Sequence, residues 1–72
     1  MKVLLNSVDR IKRFVAIATN CEEDIDLVSG RYLIDAKSIM GIFSLDVSRP
    51  IEIHVHSDDA ESVIKKFGDF IV

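Results

Sequence analysis

The sequence predicts an α+β domain in which a four-stranded antiparallel sheet is covered by three helices on one face. Three observations point to this class. Residues 51–56 alternate apolar and polar side chains, residues 8–18 repeat apolar side chains at helical spacing, and Ser29-Gly30 separates two further strand-like runs. When the shorter predicted strands and helices are added to these elements, the predicted order is β-α-β-β-α-β-α in a single domain over residues 1–72.

The composition limits the classes of function. The 72 residues are 49% hydrophobic and 29% charged, as in a folded chain. Their net charge of -3 leaves no basic excess for nucleic acid. No apolar run approaches the roughly 20 residues of a membrane helix, and no signal peptide is recognisable. Cys21 is the one cysteine, so no intramolecular disulfide can form, and we expect a small cytoplasmic domain.

The first strand and the first helix are predicted in the first 20 residues. Val3-Leu4-Leu5 is a short apolar run, and Ser7 after it is a suitable helix N-cap. The apolar stripe of the helix, with Phe14 beside it, consists of Val8, Ile11, Val15 and Ala18. Three basic side chains lie off this stripe and are expected in solvent: Arg10, Lys12 and Arg13. Asn20 is the predicted stop.

A β-hairpin and a short helix are predicted next. Ile25 and Leu27 alternate with Asp24 and Asp26, which is the pattern of a half-buried strand. The second strand of the hairpin, 32–34, follows the turn at Ser29-Gly30 because glycine accepts a positive φ. A short helix is then expected with Ser38 at its N-terminal end.

The last strand and the last helix complete the predicted order. Pro50 precedes the alternating strand 51–56, whose polar side is Glu52, His54 and His56. Asp58 and Glu61 have the spacing of a capping box. The buried side of that helix is predicted as Ala60, Val63, Ile64 and Phe67, with Gly68 as its C-terminal cap. The apolar tail 70–72 is expected to pack back on the core.

Residues 36–45 read Ala-Lys-Ser-Ile-Met-Gly-Ile-Phe-Ser-Leu. This string resembles the regulatory-serine segment of HPr, the small phosphocarrier of the bacterial sugar phosphotransferase system. The element order also resembles that of the family, which has an open-faced β-sandwich fold. The resemblance implies a protein that is not an enzyme, needs no cofactor or metal and acts on other proteins.

The histidine that carries the phosphoryl group in this family is missing. By resemblance its position falls near Ser7, with Asp9 where the family has arginine and Arg10 where it has proline. No histidine precedes His54 anywhere in the chain. A serine phosphoester is too stable to be a good phosphoryl donor, and Asp9 would repel a phosphate. We therefore expect no phosphoenolpyruvate-dependent carrier activity and no catalytic residue.

Ser38 is the remaining candidate for chemistry. The resemblance implies phosphorylation of this serine by an HPr-type kinase. It also implies that Ile39, Met40 and Phe43 form an apolar docking patch. Arg10 and Arg13 are candidates for contact with an acidic partner, such as a component of the phosphotransferase system or a transcription regulator. Without the resemblance, a serine before a helix is usually only a cap, and isoleucine and phenylalanine are usually core residues.

Two other side-chain patterns are less informative. His54 and His56 point to one face of a strand and have a spacing compatible with zinc, but no cysteine lies near them. Two exposed imidazoles are the simpler interpretation. Cys21 precedes three acidic residues, which disfavour a thiolate, so we interpret it as structural.

Three functions remain open at this stage. The first is a regulatory or protein-interaction module of the HPr type, and the sequence favours it. The second is a phosphocarrier with an atypical acceptor, Ser7 or His54. The third is a scaffold in which Ser38 and the apolar residues after it serve only packing. Burial of Ile39, Met40 and Phe43 would favour the scaffold, whereas their exposure beside a capping Ser38 would favour docking.

Overall fold

The computed structural model describes all residues, 1–72, and confirms the predicted α+β class and element order. The strands are β1 (Lys2–Val3), β2 (Asp24–Ser29), β3 (Tyr32–Asp35) and β4 (Ile51–His56). The helices are α1 (Val8–Thr19), α2 (Ile39–Phe43) and α3 (Ala60–Lys65), and a 3₁₀ turn, Gly68–Phe70, follows α3. No helix has the length and apolar character needed to cross a membrane.

The four strands form one antiparallel sheet in the order β1-β4-β2-β3. Ile25 and Leu27 of β2 are buried on the helix side together with Ile51 and Ile53 of β4. The polar residues between them lie on the open side, where Asp26 is paired with His54 and Asp24 with His56. The period-two alternation read from the sequence therefore separates the two faces as predicted.

The hairpin closes through a two-residue loop of Gly30 and Arg31, with Ser29 paired to Tyr32. Gly30 has a φ of 58°, and no other residue has a positive φ. A positive φ at the first loop position alone is the arrangement of a type II′ turn, which matches the twist of the flanking strands.

The first strand is shorter than the sequence predicts. β1 ends at Val3, and the N–H of Leu4 donates to Phe70 O at 2.8 Å instead of continuing along β4. Val3 also forms a bridge with Ile71. The C-terminal segment thus competes for the backbone groups that a longer β1 would have used.

The buried stripe of α1 is rotated from the predicted one. Ile11, Phe14 and Ala18 are buried, Val15 is half-buried and Val8 is exposed. At about 100° per residue, Val8 lies roughly 90° from the centre of the stripe that contains Phe14. Including Phe14 in the stripe would have given the observed orientation.

The N-cap of α3 lies within the expected segment 57–59, but the predicted capping box and the predicted C-terminal cap do not form. Asp59, not Asp58, is the N-cap, and its Oδ1 accepts the N–H of Ser62 at 3.4 Å. With Asp59 as the N-cap, Glu61 is one residue too early for a capping box. The helix ends at Lys65 rather than at Gly68, because the chain turns again and so buries both Phe67 and Phe70.

Gly41 allows α2 to lie close against β3. A Cβ at this position would be 2.7 Å from Ile34 Cγ2 and 3.0 Å from Ser38 Oγ. A contact of 2.7 Å is too short for two carbon atoms, so the helix would have to move away from the strand. A glycine that the sequence suggests only as a helix breaker is therefore a packing requirement.

We expect Gly41→Ala to lower the free energy of unfolding by about 1–3 kcal/mol, because it overpacks the contact with Ile34. Alanine ordinarily stabilises a helix relative to glycine by up to about 1 kcal/mol, so the sign is diagnostic. Gly68→Ala is the matched control, since its Cβ meets nothing within 4 Å, and it should change stability by less than about 0.5 kcal/mol. Urea denaturation measures both. Equal midpoints for the two variants would contradict the proposed contact.

Candidate functional site

Ser38 caps α2 and remains exposed. Its Oγ accepts the backbone N–H of Gly41 at 3.2 Å, and its own N–H donates to Asp35 O at 2.9 Å. The backbone at Ser38 is extended, as at an ordinary N-cap. The Ser38 hydroxyl donates no hydrogen bond within the chain, and the residue is exposed to solvent.

The α2 patch, by which we mean Ile39, Met40 and Phe43, is mostly outside the core. Met40 is 75% exposed and Phe43 is 43% exposed, whereas Ile39 is half-buried against the core. Ile42, between the two exposed side chains, is completely buried and anchors the helix. Helical geometry explains this division, since neighbouring positions on a helix face different directions. Two large apolar side chains thus face solvent within five residues of Ser38.

The loop after α2 contains a turn that the sequence analysis missed. Asp46 accepts the hydroxyl of Ser48 at 2.5 Å and the Ser48 N–H at 3.2 Å, and Arg49 Nε lies 3.8 Å from its carboxylate. These hydrogen bonds hold the pKa of the Asp46 carboxyl below its ordinary value. The Asp-x-Ser spacing is a known turn signal and could have identified it. The turn carries the chain from α2 to β4.

The start of α1, where the sequence predicts the phosphoryl-carrying position to fall, is occupied by interactions within the chain. Ser7 is the predicted N-cap, and its Oγ accepts the N–H of Arg10 at 3.1 Å. Asp9 in the first turn lies 3.6 Å from Arg13, and the positive end of the helix dipole stabilises its carboxylate. A negative charge already stands where a phosphate would be stabilised.

Arg10 does not lie in solvent, contrary to the prediction from the sequence. It is half-buried, its Nε donates to Leu4 O at 2.9 Å and its Nη2 donates to Asp69 O at 3.2 Å. The guanidinium carbon lies 4.9 Å from the centre of the Phe70 ring. The apolar stem and planar head of arginine suit this position, in which it covers an aromatic ring and binds two carbonyls. A pattern of charge along the helix could not reveal carbonyls supplied by distant segments.

Arg13 remains half-exposed. Its ion pairs with Asp9 and Asp69 are 3.6 and 3.9 Å long and lie in solvent. Exposed pairs of this kind contribute little to stability, so the side chain is free to exchange partners. α1 also packs against α2, so Arg13 and the α2 patch belong to adjoining helices.

The two histidines lie on the open side of the sheet, away from α1 and α2. His54 Nε2 is 3.3 Å from Glu52 Oε1, and His56 Nε2 is 2.7 Å from Asp26 Oδ2. Each imidazole is therefore paired with one carboxylate. No group of three histidine, cysteine, aspartate or glutamate side chains is arranged to hold a metal ion.

Cys21 is buried, and its Sγ donates to Ile17 O at 3.3 Å. This contact places the thiol in the core beside the end of α1. The position agrees with the structural interpretation of the single cysteine.

Comparison with known proteins identifies the family. The family model described as "PTS HPr component phosphorylation site" matches residues 10–72. The matched stretch begins after Ser7. A search of the curated proteins finds no significant match.

Two solved structures are similar over almost the whole chain. HPr-C-His from Thermoanaerobacter tengcongensis superposes with a TM-score of 0.80 at 28% identity, covering 96% of this chain and 85% of that one. The phosphocarrier protein HPr from Bacillus anthracis str. Ames gives a TM-score of 0.73 at 29% identity, covering 100% of this chain and 87% of that one. HPr proteins are phosphocarriers rather than enzymes. With a family match that includes α1–α3 and the Ser38 segment, the chain belongs to the HPr family of the phosphotransferase system.

Proposed function

We propose that this HPr family member is a regulatory, protein-binding module that is controlled by phosphorylation at Ser38 and does not carry phosphoryl groups. The exposure of Met40 and Phe43 directly after an accessible Ser38 is the observation that carries the proposal. We expect a scaffold to bury these side chains, because two large apolar groups left in solvent contribute no hydrophobic stabilisation to the fold. Their exposure favours docking over packing.

The start of α1 supports the second half of the proposal. A phosphocarrier needs a nucleophile whose phosphate is labile, together with cationic groups that neutralise it. Ser7 would form a stable ester, and Asp9 would add repulsion. Arg10 is directed away from such a role, because its Nε and Nη2 donate to Leu4 O and Asp69 O. His54 is a poor alternative acceptor, since it lies on the open face beside Glu52.

Phosphorylation of Ser38 would change the charge next to the patch. A phosphoserine carries a charge of about -1.5 to -2 at neutral pH. The patch itself is uncharged, so the modification would turn an apolar contact surface into one that favours a basic partner. A kinase of the HPr type and a component of the phosphotransferase system or a transcription regulator are the partners that fit. Arg13 on the adjoining helix is the proposed contact for an acidic group of such a partner.

We expect an HPr-type kinase with ATP to add one phosphate, at Ser38. Intact mass spectrometry should show a single addition, and peptide sequencing should locate it. Ser38→Ala should abolish the addition, while Ser44→Ala and Ser48→Ala, which remove nearby exposed hydroxyls, should leave it unchanged. An unmodified wild-type chain, with the kinase active on another HPr, would rule out the proposed regulation.

Met40→Asp and Phe43→Asp should slow that phosphorylation at least tenfold by disrupting the docking patch. Because both side chains are exposed, each variant should keep its stability within about 1 kcal/mol. Val72→Asp is a matched control, since Val72 is 65% exposed and lies outside the patch. Unchanged kinase kinetics in both patch variants would show that the patch does not dock the enzyme.

With phosphoenolpyruvate and enzyme I, we expect no acid-labile phosphate on the chain, because the acceptor histidine is absent. Phosphorus NMR at alkaline pH distinguishes a phosphohistidine from a serine ester. A functional HPr in the same tube serves as the positive control. A nitrogen-linked phosphate on His54 or His56 would establish the alternative, an atypical phosphocarrier.

A further inference from the structure

The two edge strands of the sheet differ in whether their outer backbone groups are paired. The β1 edge is covered by the C-terminal segment, with Leu4 N–H donating to Phe70 O at 2.8 Å and Val72 N–H donating to Lys2 O at 3.1 Å. The β3 edge has no neighbouring strand. An open edge presents unpaired N–H and C=O groups and is a template for pairing with another strand.

The hydrogen-bonding direction along β3 follows from its last contact with β2. The N–H of Ala36 donates to Ile25 O at 2.9 Å, and hydrogen-bonding direction alternates along an antiparallel strand. Tyr32 and Ile34 therefore direct their backbone groups toward β2. Leu33 directs its N–H and C=O outward, at the centre of the free edge.

The side chains on this edge are large and mostly apolar, although they are exposed to solvent. Tyr32 is 65% exposed and Leu33 is 66% exposed. The strand contains no lysine, proline or bulge, which are the devices that commonly block edge pairing. Its charges stand only at the two ends, Arg31 before it and Asp35 at its last position.

The end charges are complementary in one register. If two copies of β3 pair antiparallel with Leu33 opposite Leu33, each Arg31 stands opposite Asp35 of the other copy. Tyr32 then stands opposite Ile34. Within one chain Arg31 forms no salt bridge, and the carboxylate of Asp35 accepts only the N–H of Lys37, at 2.9 Å. Two oppositely charged cross-strand pairs thus flank an apolar centre.

We infer that the β3 edge is a self-association surface, on which a second copy of this chain pairs through β3 and extends the sheet across both molecules. The edge adjoins the turn at Ser38, since Asp35 O accepts the Ser38 N–H. The inference rests on the free backbone groups and charges of β3 and does not depend on the proposed function. Five residues on each side form a contact well below the size of a standard stable interface. The dimer is therefore weak, with a dissociation constant on the order of 10⁻⁴ M.

The test uses charge reversal. Arg31→Glu places two acidic groups opposite each other across the seam, and Asp35→Lys places two basic groups there. Each variant alone should weaken dimerisation at least tenfold in sedimentation equilibrium between about 20 μM and 1 mM. Mixed in equal amounts, the two variants regain opposite charges at both ends of the seam, so the mixture should form a heterodimer as tight as the wild-type dimer to within about threefold.

Controls separate the seam from general effects of charge and folding. Lys12→Glu makes the same change in charge on the exposed face of α1 and should leave dimerisation unchanged. Leu33→Lys places two like charges at the centre of the seam and should abolish dimerisation. Circular dichroism melting shows that each variant is folded. A wild-type chain that stays monomeric at 1 mM, dimerisation unaffected by the reversals, or a mixture that does not recover would each overturn the inference.

Discussion

The contact between Phe14 and the two C-terminal phenylalanines holds the helical layer of this small domain together. The Phe14 and Phe67 ring centres are 4.8 Å apart, and Phe14 meets Phe70 edge to face at 5.6 Å. All three side chains are essentially inaccessible to solvent. Burial of three phenylalanines supplies a large part of the hydrophobic stabilisation that a chain of 72 residues can gain, and no disulfide adds to it.

This aromatic cluster also determines the contacts at the start of α1. To bury Phe67 and Phe70, the chain must turn again after α3, and that turn brings Asp69 O and the Phe70 ring to Arg10. Arg10 Nε also donates to Leu4 O, and this hydrogen bond joins the start of α1 to the N-terminal segment. The start of α1 is therefore a packed junction between this helix and the two terminal segments.

The second helix shows the opposite arrangement. Ile42 anchors this helix of five residues, Ile39 packs partly against the core, Gly41 lets the helix approach Ile34, and Ser38 caps it. Because so few positions are needed for packing, Met40 and Phe43 remain available at the surface. The segment with the sharpest family motif thus leaves two large apolar side chains exposed near the hydroxyl of Ser38.

The sequence by itself determined the sheet, the order of its elements and the helix caps at Ser7 and Ser38, since alternation, helical spacing and capping are local properties. It also identified the family, which the family model confirms. Only the tertiary structure decided that Arg10 is half-buried and that β1 ends at Val3. Each of these depends on groups contributed by residues 69–71, more than 50 positions away, and a local pattern contains no information about such partners. For the same reason, only the strand order could show that β3 is the open edge of the sheet.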